Sequence, residues 1–279
     1  MQPQVLVLGS ANADLVVEVP RRPAGGETVL GSDARVLPGG KGANTAVAAA
    51  RLGARVALTA AIGEDAHGDL LLTSLREAGV DTTAVHRVSR PTGTALITVT
   101  PDGENSIVVS PGANATLTAS DVDVTGAAVL VASLEVPLAV VEHAIAAAVA
   151  AGVRPILNLS PVAPLSPETL AALDPLIVNE HEAELLGDLL ALGCRSAIIT
   201  RGPAGATVRT PDGSVDLPAP RVTPVDTTGA GDAFAGALAT ELAAGATLES
   251  ATRLAIDVAS VSVTRQGAQP SYPVRADLP

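Results

Sequence analysis

At 279 residues the chain has room for one large α/β domain or two small ones, and for a sizeable core. A hydrophobic share of 47% against 16% charged residues excludes a disordered chain. The net charge of −12 argues against a nucleic-acid backbone or an anionic membrane as partner, since both call for clustered Lys and Arg.

A single cysteine, Cys194, excludes a disulfide framework and a Cys-rich metal site, and is expected to be buried and inert. No apolar run approaches the roughly 18 residues of a membrane span. The start, MQPQVLVLGS, runs straight into a short apolar strand without a basic leader, so a soluble cytoplasmic chain is expected. Phe234 and Tyr272 are the only aromatics, so a bound purine would lie between aliphatic side chains and backbone.

The first strand is expected over Val5–Gly9. Directly after it, in SANADLV, Asn12 and Asp14 stand where open α/β sheets bind ligands, beyond the carboxyl ends of strands. The same residue types also simply make turns. Within 14–37 the runs LVVEV, ETVLG and ARVL read as β structure without a helix.

PGGKGANTAVAAARLG, 38–53, then joins a glycine-rich turn to a helix over Ala43–Leu52. It is not a Walker A loop: Arg35 stands where that motif needs its first glycine, and Gly42 follows the lysine in place of Ser or Thr. What remains is bare backbone at Gly39, Gly40 and Gly42, a cation at Lys41 and an amide at Asn44. These make a surface suited to a polyhydroxylated ligand, or a plain strand–helix turn.

A strand over Val56–Ile62 and a helix over Leu70–Ala78 precede TALITVTPDGENSIVVS, which reads as a hairpin around Pro101-Asp102-Gly103. The insertions at 14–38 and 93–112 are expected to form a small β-sheet lid on the α/β body. Apolar strands over Val129–Leu134, Pro155–Leu159, Leu176–Val178 and Ala197–Thr200 alternate with helices over Leu138–Ala150 and Pro167–Leu173. That alternation predicts a mainly parallel central sheet buried on both faces, in a single domain spanning 1–279.

In IVNEHEAELLG, Asn179 ends a strand, and Glu180, Glu182 and Glu184 crowd the next turns. The acids complement a helix dipole, or Asn179 and Glu182 meet phosphate and the hydration shell of Mg²⁺. TVRTPDGSVDL, 207–217, signals a second hairpin. VDTTGAGDAFAGALATELAAG then places Gly229, Ala230 and Gly231 at a helix N-terminus, where free N–H groups and the helix dipole attract an anion. Asp232 adds nothing to anion binding. It either takes a proton from an attacking hydroxyl or complements the dipole. The four histidines, His67, His86, His143 and His181, show no metal spacing.

LVLGSANAD, GGETVLG, PGGKGANTAVAAARLGA, GENSIVVSPGAN, NEHEAELL, DTTGAGDAFAGAL and VTRQGAQPS, in this order from residue 5 to about 273, closely resemble the ribokinase-like (PfkB) family of sugar kinases. GENSIVVSPGAN and TRQGAQPS narrow the resemblance to its ribose-phosphorylating members. The resemblance implies a three-layer αβα sandwich with a β-sheet lid and ATP-dependent phosphorylation of the 5-hydroxyl of D-ribose. The exposed edges of the lid strands, which pairing with a second subunit would protect, lead to the expectation of a homodimer through the lid.

The resemblance also distributes roles along the chain. Asn12, Asp14, Gly40, Lys41, Gly42, Asn44 and Glu135 would hold the sugar. Asp232 would be the general base, and Gly229, Ala230 and Gly231 the anion hole. Asn179 and Glu182 would serve phosphate and Mg²⁺, while Thr200, Gly202, Gly205, Gly231 and Ile256 would line the ATP site. Asp226, Thr228, Ser262, Arg265, Gly267 and Ser271 would form a K⁺ site.

Three departures from the family pattern stand out. GDLLALG abbreviates a longer helical segment after Leu186, the chain stops at VRADLP where members continue into a helix, and Ile256 replaces a polar residue near adenine. The first two bear on stability or nucleotide affinity. Kinases for deoxyribose, fructose or pseudouridine, or a sugar-binding regulator with weak catalysis, are the competing assignments.

Overall fold

The computed structural model describes residues 4–102 and 104–278. Two sheets organise it. Val5–Leu8 (β1) heads the large one, while Asn12–Glu18 (β2) and Arg35–Gly39 (β3) start the small one. Lys41–Arg51 (α1), Val56–Gly63 (β4), Ala66–Glu77 (α2) and Val85–Val88 (β5) follow. Gly93–Val99 (β6) and Asn105–Ser110 (β7) return to the small sheet.

The remainder alternates strand and helix: Val129–Ser133 (β8), Leu138–Ala150 (α3), Arg154–Asn158 (β9), Pro167–Ala172 (α4), Leu176–Asn179 (β10), Glu180–Leu186 (α5) and Ala197–Thr200 (β11). The hairpin Ala206–Thr210 (β12) and Gly213–Leu217 (β13) leads to Ala230–Ala243 (α6) and Leu248–Ser262 (α7).

Among the described residues the large sheet runs β13-β12-β11-β10-β9-β8-β1-β4-β5, parallel except for β12, which pairs antiparallel with both β11 and β13. Strand alternation divides its apolar side chains between two faces. Val5, Val7, Val129 and Val131 point to a core shared with α1, α2, α6 and α7, while Leu6, Leu8, Leu130 and Ala132 point to one shared with α3. The three-layer αβα expectation holds.

The small sheet, ordered β3-β2-β6-β7, unites the two predicted insertions. Two details differ from the sequence expectation. ETVLG forms no strand: residues 27–31 lie in an exposed loop after Pro20, Pro23, Gly25 and Gly26, with Leu30 89% exposed and no strand partner. Helix α2 starts a turn early, because Asp65 caps it by accepting from the Gly68 N–H at 2.9 Å. Of the predicted hairpin turn, Gly103 lies outside the described residues. No helix among them is long and apolar enough to cross a membrane.

Candidate active site

The carboxyl ends of β1 and β8, the start of β2 and the N-termini of α1 and α6 converge on one cleft. Glu135, just past β8, organises its first part. Its carboxylate accepts from the Ser10 hydroxyl at 2.5 Å, from Asn12 Nδ2 at 3.4 Å and from the Lys41 N–H at 3.3 Å. Asn114 holds the other side of Asn12: its Nδ2 donates to Asn12 Oδ1 at 2.7 Å, and its Oδ1 accepts from the Ala11 N–H at 3.0 Å.

The glycines of PGGKG serve packing against this turn. A Cβ on Gly42 would stand 2.6 Å from Gly9 Cα, and one on Gly39 would overlap the Asp14 carboxylate. Only bare backbone lets the start of α1 lie this close to the end of β1.

Charge is concentrated here. Burial pushes the Asp14 carboxyl up to about 7, with Glu135 and Asp232 adding to it and Lys41 opposing. Burial works against the Lys41 ammonium, yet Asp232, Glu135, Glu182 and Asp14 around it hold its pKa above the usual lysine value. Among the described residues no three His, Cys, Asp or Glu side chains are grouped to hold a metal ion.

Helix α6 begins without a side-chain cap. Gly229 precedes it at φ 73°, a conformation that suits glycine, and the Ala230 N–H reaches the Thr227 carbonyl at 3.3 Å. The Gly231 and Asp232 N–H groups have no backbone acceptor among the described residues. An uncapped helix start is an anion site in waiting.

Asp232 is 6% exposed and accepts from Asn44 Nδ2 at 2.9 Å. Burial drives its pKa up to about 6, against the pull of Lys41 and the Asn44 N–H, with Glu135 adding to the rise.

Two adjoining cavities lie at the head of α6, the smaller of them lined by Asp232. One, of about 190 Å³, is lined by Lys41, Asn179, Glu182 and residues 229–232. The second, of about 520 Å³, shares Thr200, Thr227, Ala230 and Gly231 with it and continues between Gly202, Gly205, Phe234 and Ile256. Its far end is largely aliphatic, as the scarcity of aromatics requires. Asn179 and Glu182 cap α5 reciprocally: Asn179 Oδ1 accepts from the Glu182 N–H, and Glu182 Oε2 from the Asn179 N–H, both at 2.8 Å. Both sequence readings of this pair are therefore compatible with one geometry.

Asp226 braces the turn before α6, accepting from the Thr228 and Gly267 N–H groups at 2.9 Å each. Burial favours a raised pKa there, but hydrogen bonding from the Thr228 side chain and from these two N–H groups outweighs it and holds the carboxyl below its usual range. Ser262 and Ser271 direct their hydroxyls to the Ala259 and Ala268 carbonyls, and the Arg265 guanidinium pairs with Asp277.

Four contributors escaped the sequence reading as individual residues: Ser10, Asn114, Gln269 and Tyr272. The quoted motifs contain Ser10, Asn114 and Gln269, so a signal existed. Tyr272 carried only its rarity.

Comparison with known proteins gives the family. The pfkB family carbohydrate kinase profile matches residues 2–275. The chain is 39% identical to a ribokinase of Bacillus subtilis over 98% of its own length and 97% of the relative's. It is 35% identical to a deoxyribokinase of Salmonella typhi, over 96% and 95% of the two chains. The solved structure of an Arabidopsis thaliana ribokinase complexed with ribose and ATP superposes with a TM-score of 0.89 at 32% identity, covering 99% of this chain and 97% of that one. The chain belongs to the pfkB family of carbohydrate kinases and is an ATP-dependent sugar kinase.

Proposed function

We propose that the enzyme transfers the γ-phosphoryl group of ATP to the 5-hydroxyl of D-ribose in the cytoplasm, with the whole chain acting as one kinase domain. The observation that carries this is the position of Asp232. A buried carboxylate with a pKa of about 6 stands at an uncapped helix start, beside a small polar cavity that opens into a larger apolar one.

Asn12, Asp14, Glu135 and the Gly40–Asn44 segment hold the ribose. Asp232 takes the 5-hydroxyl proton as the sugar oxygen forms its bond to the γ-phosphorus. The bond from that phosphorus to the β,γ-bridging oxygen breaks, and ADP leaves. The Gly231 and Asp232 N–H groups and the Lys41 ammonium face the charge on the transferring oxygens, the electrostatic contribution that dominates phosphoryl transfer.

Magnesium fits beside Glu182, whose Oε2 is taken by the Asn179 N–H while Oε1 has no hydrogen-bond donor among the described residues. Bound there through water, it would neutralise charge on the β- and γ-phosphates. A potassium ion would sit beside Asp226, whose carboxylate accepts from the Thr228 and Gly267 N–H groups at 2.9 Å each. The remaining ligands would come from carbonyls near Thr228, Ser262, Arg265, Gly267 and Ser271.

The small sheet acts as the lid that excludes water. Its outer face carries a cross-strand row, Val36, Leu15, Leu96 and Val108, of which Leu96 is 52% and Val108 65% exposed. Pairing of two such faces in a homodimer would cover it.

The Salmonella deoxyribokinase supports 2-deoxyribose as a second acceptor. The test is ATP consumption with ribose, 2-deoxyribose, fructose, adenosine, pseudouridine or no sugar, each with and without potassium. Ribose-dependent, potassium-stimulated turnover is expected. Preference for another acceptor would replace ribose in the assignment.

A further inference from the structure

We propose that Gln269, in the turn after α7, is a positioning residue for phosphoryl transfer: it holds the Asn44 amide so that its N–H stays on the Asp232 carboxylate. The inference rests on the assignment of Asp232 as the base. Gln269 is 3% exposed and touches neither cavity. Its Nε2 donates to Asn44 Oδ1 at 3.0 Å, and its Oε1 accepts from the Ser74 hydroxyl at 2.8 Å. Asn44 Nδ2 in turn donates to Asp232 Oδ2 at 2.9 Å. A buried series of hydrogen bonds thus runs from α2 through this turn and the first turn of α1 to the head of α6.

The direction of the series matters. An asparagine amide presents an acceptor at one end and donors at the other. If Asn44 turned over, its carbonyl would face the carboxylate and repel it. Gln269 supplies the donor that occupies the Asn44 carbonyl, so the amide is held with its N–H toward the base. A leucine at 269 would leave that carbonyl buried without a donor, and Asn44 would be free to swing off Asp232.

The titration of Asp232 reads this out. The charged and polar groups facing it are Lys41 and Asn44 from α1, Glu135 from beyond β8, Asp14 from β2 and the Tyr272 hydroxyl. Burial and Glu135 raise its pKa, while Lys41 and the Asn44 N–H lower it. Loss of the Asn44 donor alone moves it upward.

Full-length Gln269→Leu, assayed with the best acceptor of the panel, is expected to lower kcat about tenfold or more and, because Asn44 also belongs to the sugar-holding segment, to raise the sugar KM. The acid limb of its kcat–pH profile is expected to shift to higher pH. A variant with lowered thermal stability but an unmoved acid limb would overturn the inference, because a purely structural glutamine has no path to the base. If the leucine variant does not fold, Ser74→Ala removes only the outermost hydroxyl and should move the limb in the same direction by less; an unmoved limb there also overturns it. Asp232→Asn, run in parallel, separates the two claims. Parental turnover by that variant rejects the base assignment itself, whereas its inactivity leaves the Gln269 result to judge the inference alone.

Discussion

Asp232 and Asp14 are acids held against their own ionisation, and that has opposite consequences for stability and for rate. Their folded pKa values, about 6 and about 7, stand above the 3.8 of a free aspartate. The native state therefore binds more protons than the unfolded one between those values, and stability falls as pH rises through that window. Asp232→Asn removes this penalty. It should raise Tm by a few degrees at pH about 8 and lose the gain by pH about 4, while abolishing turnover and leaving sugar binding intact. Thermal melts at the two pH values and binding calorimetry check both halves; a lowered Tm at the higher pH would contradict the account. In the parent enzyme, kcat should rise through pH about 6 as the base ionises. Tyr272 acts at the same scale. Its buried hydroxyl donates to the Gly229 carbonyl at 3.1 Å, and burial, with help from Asp232 and Asp14, keeps it protonated as a donor. If the Gly229–Gly231 turn binds the transferring phosphoryl group as proposed, Tyr272→Phe should lower kcat several-fold with both KM values unchanged, as measured by steady-state kinetics, because only the set of that turn is loosened.

At the scale of elements, the contact between α1 and α6 sets the distance between the PGGKG turn and the turn at Gly229–Gly231. Small residues make it close: a Cβ on Gly236 would stand 2.6 Å from the Thr45 carbonyl oxygen and 2.9 Å from Ala48 Cβ. The clash is with backbone, which a rotamer change cannot relieve. Gly236→Val should cost about 1–3 kcal/mol or more, seen as a lowered urea midpoint, and should lower kcat because Asn44 and Asp232 ride on the two helices. Full activity at parental stability would show that the helices separate without cost.

For the whole molecule, the small sheet is the part whose surface is unexplained by the core. Its inner face carries Asn12 and Asp14 toward the cleft, and its outer row of Val36, Leu15, Leu96 and Val108 is unusually apolar for an exposed face. If that row is the dimer contact, Leu96→Asp with Val108→Asp should convert a dimer to a monomer in analytical ultracentrifugation. Lid closure would loosen with it, raising ATP hydrolysis without sugar relative to sugar phosphorylation. A double variant that stays dimeric places the interface elsewhere.

Much of this was legible in the chain itself. Apolar runs of strand length separated by Ala- and Leu-rich helices dictate a buried parallel sheet, because side-chain periodicity is a local property. The glycines around Lys41 and Gly231 likewise mark close backbone approach and an open helix start, and the motif order assigned the family. What PGGKG does was not legible from its spacing: its glycines make room for the end of β1, a contact between segments over thirty residues apart. Nor did any local signal say that Asn44 meets Asp232 across 188 positions, that Gln269 holds Asn44, or that Tyr272 reaches Gly229. ETVLG, a strand by composition, stays a loop that meets the end of β2 only at Gly31 and Ser32. Sequence by itself determined the alternation of strands and helices in the α/β body and the family to which the chain belongs. Only the tertiary structure decided which polar groups meet, since burial, hydrogen-bond partners and shifted pKa values depend on neighbours brought together by packing and not on neighbours in the chain.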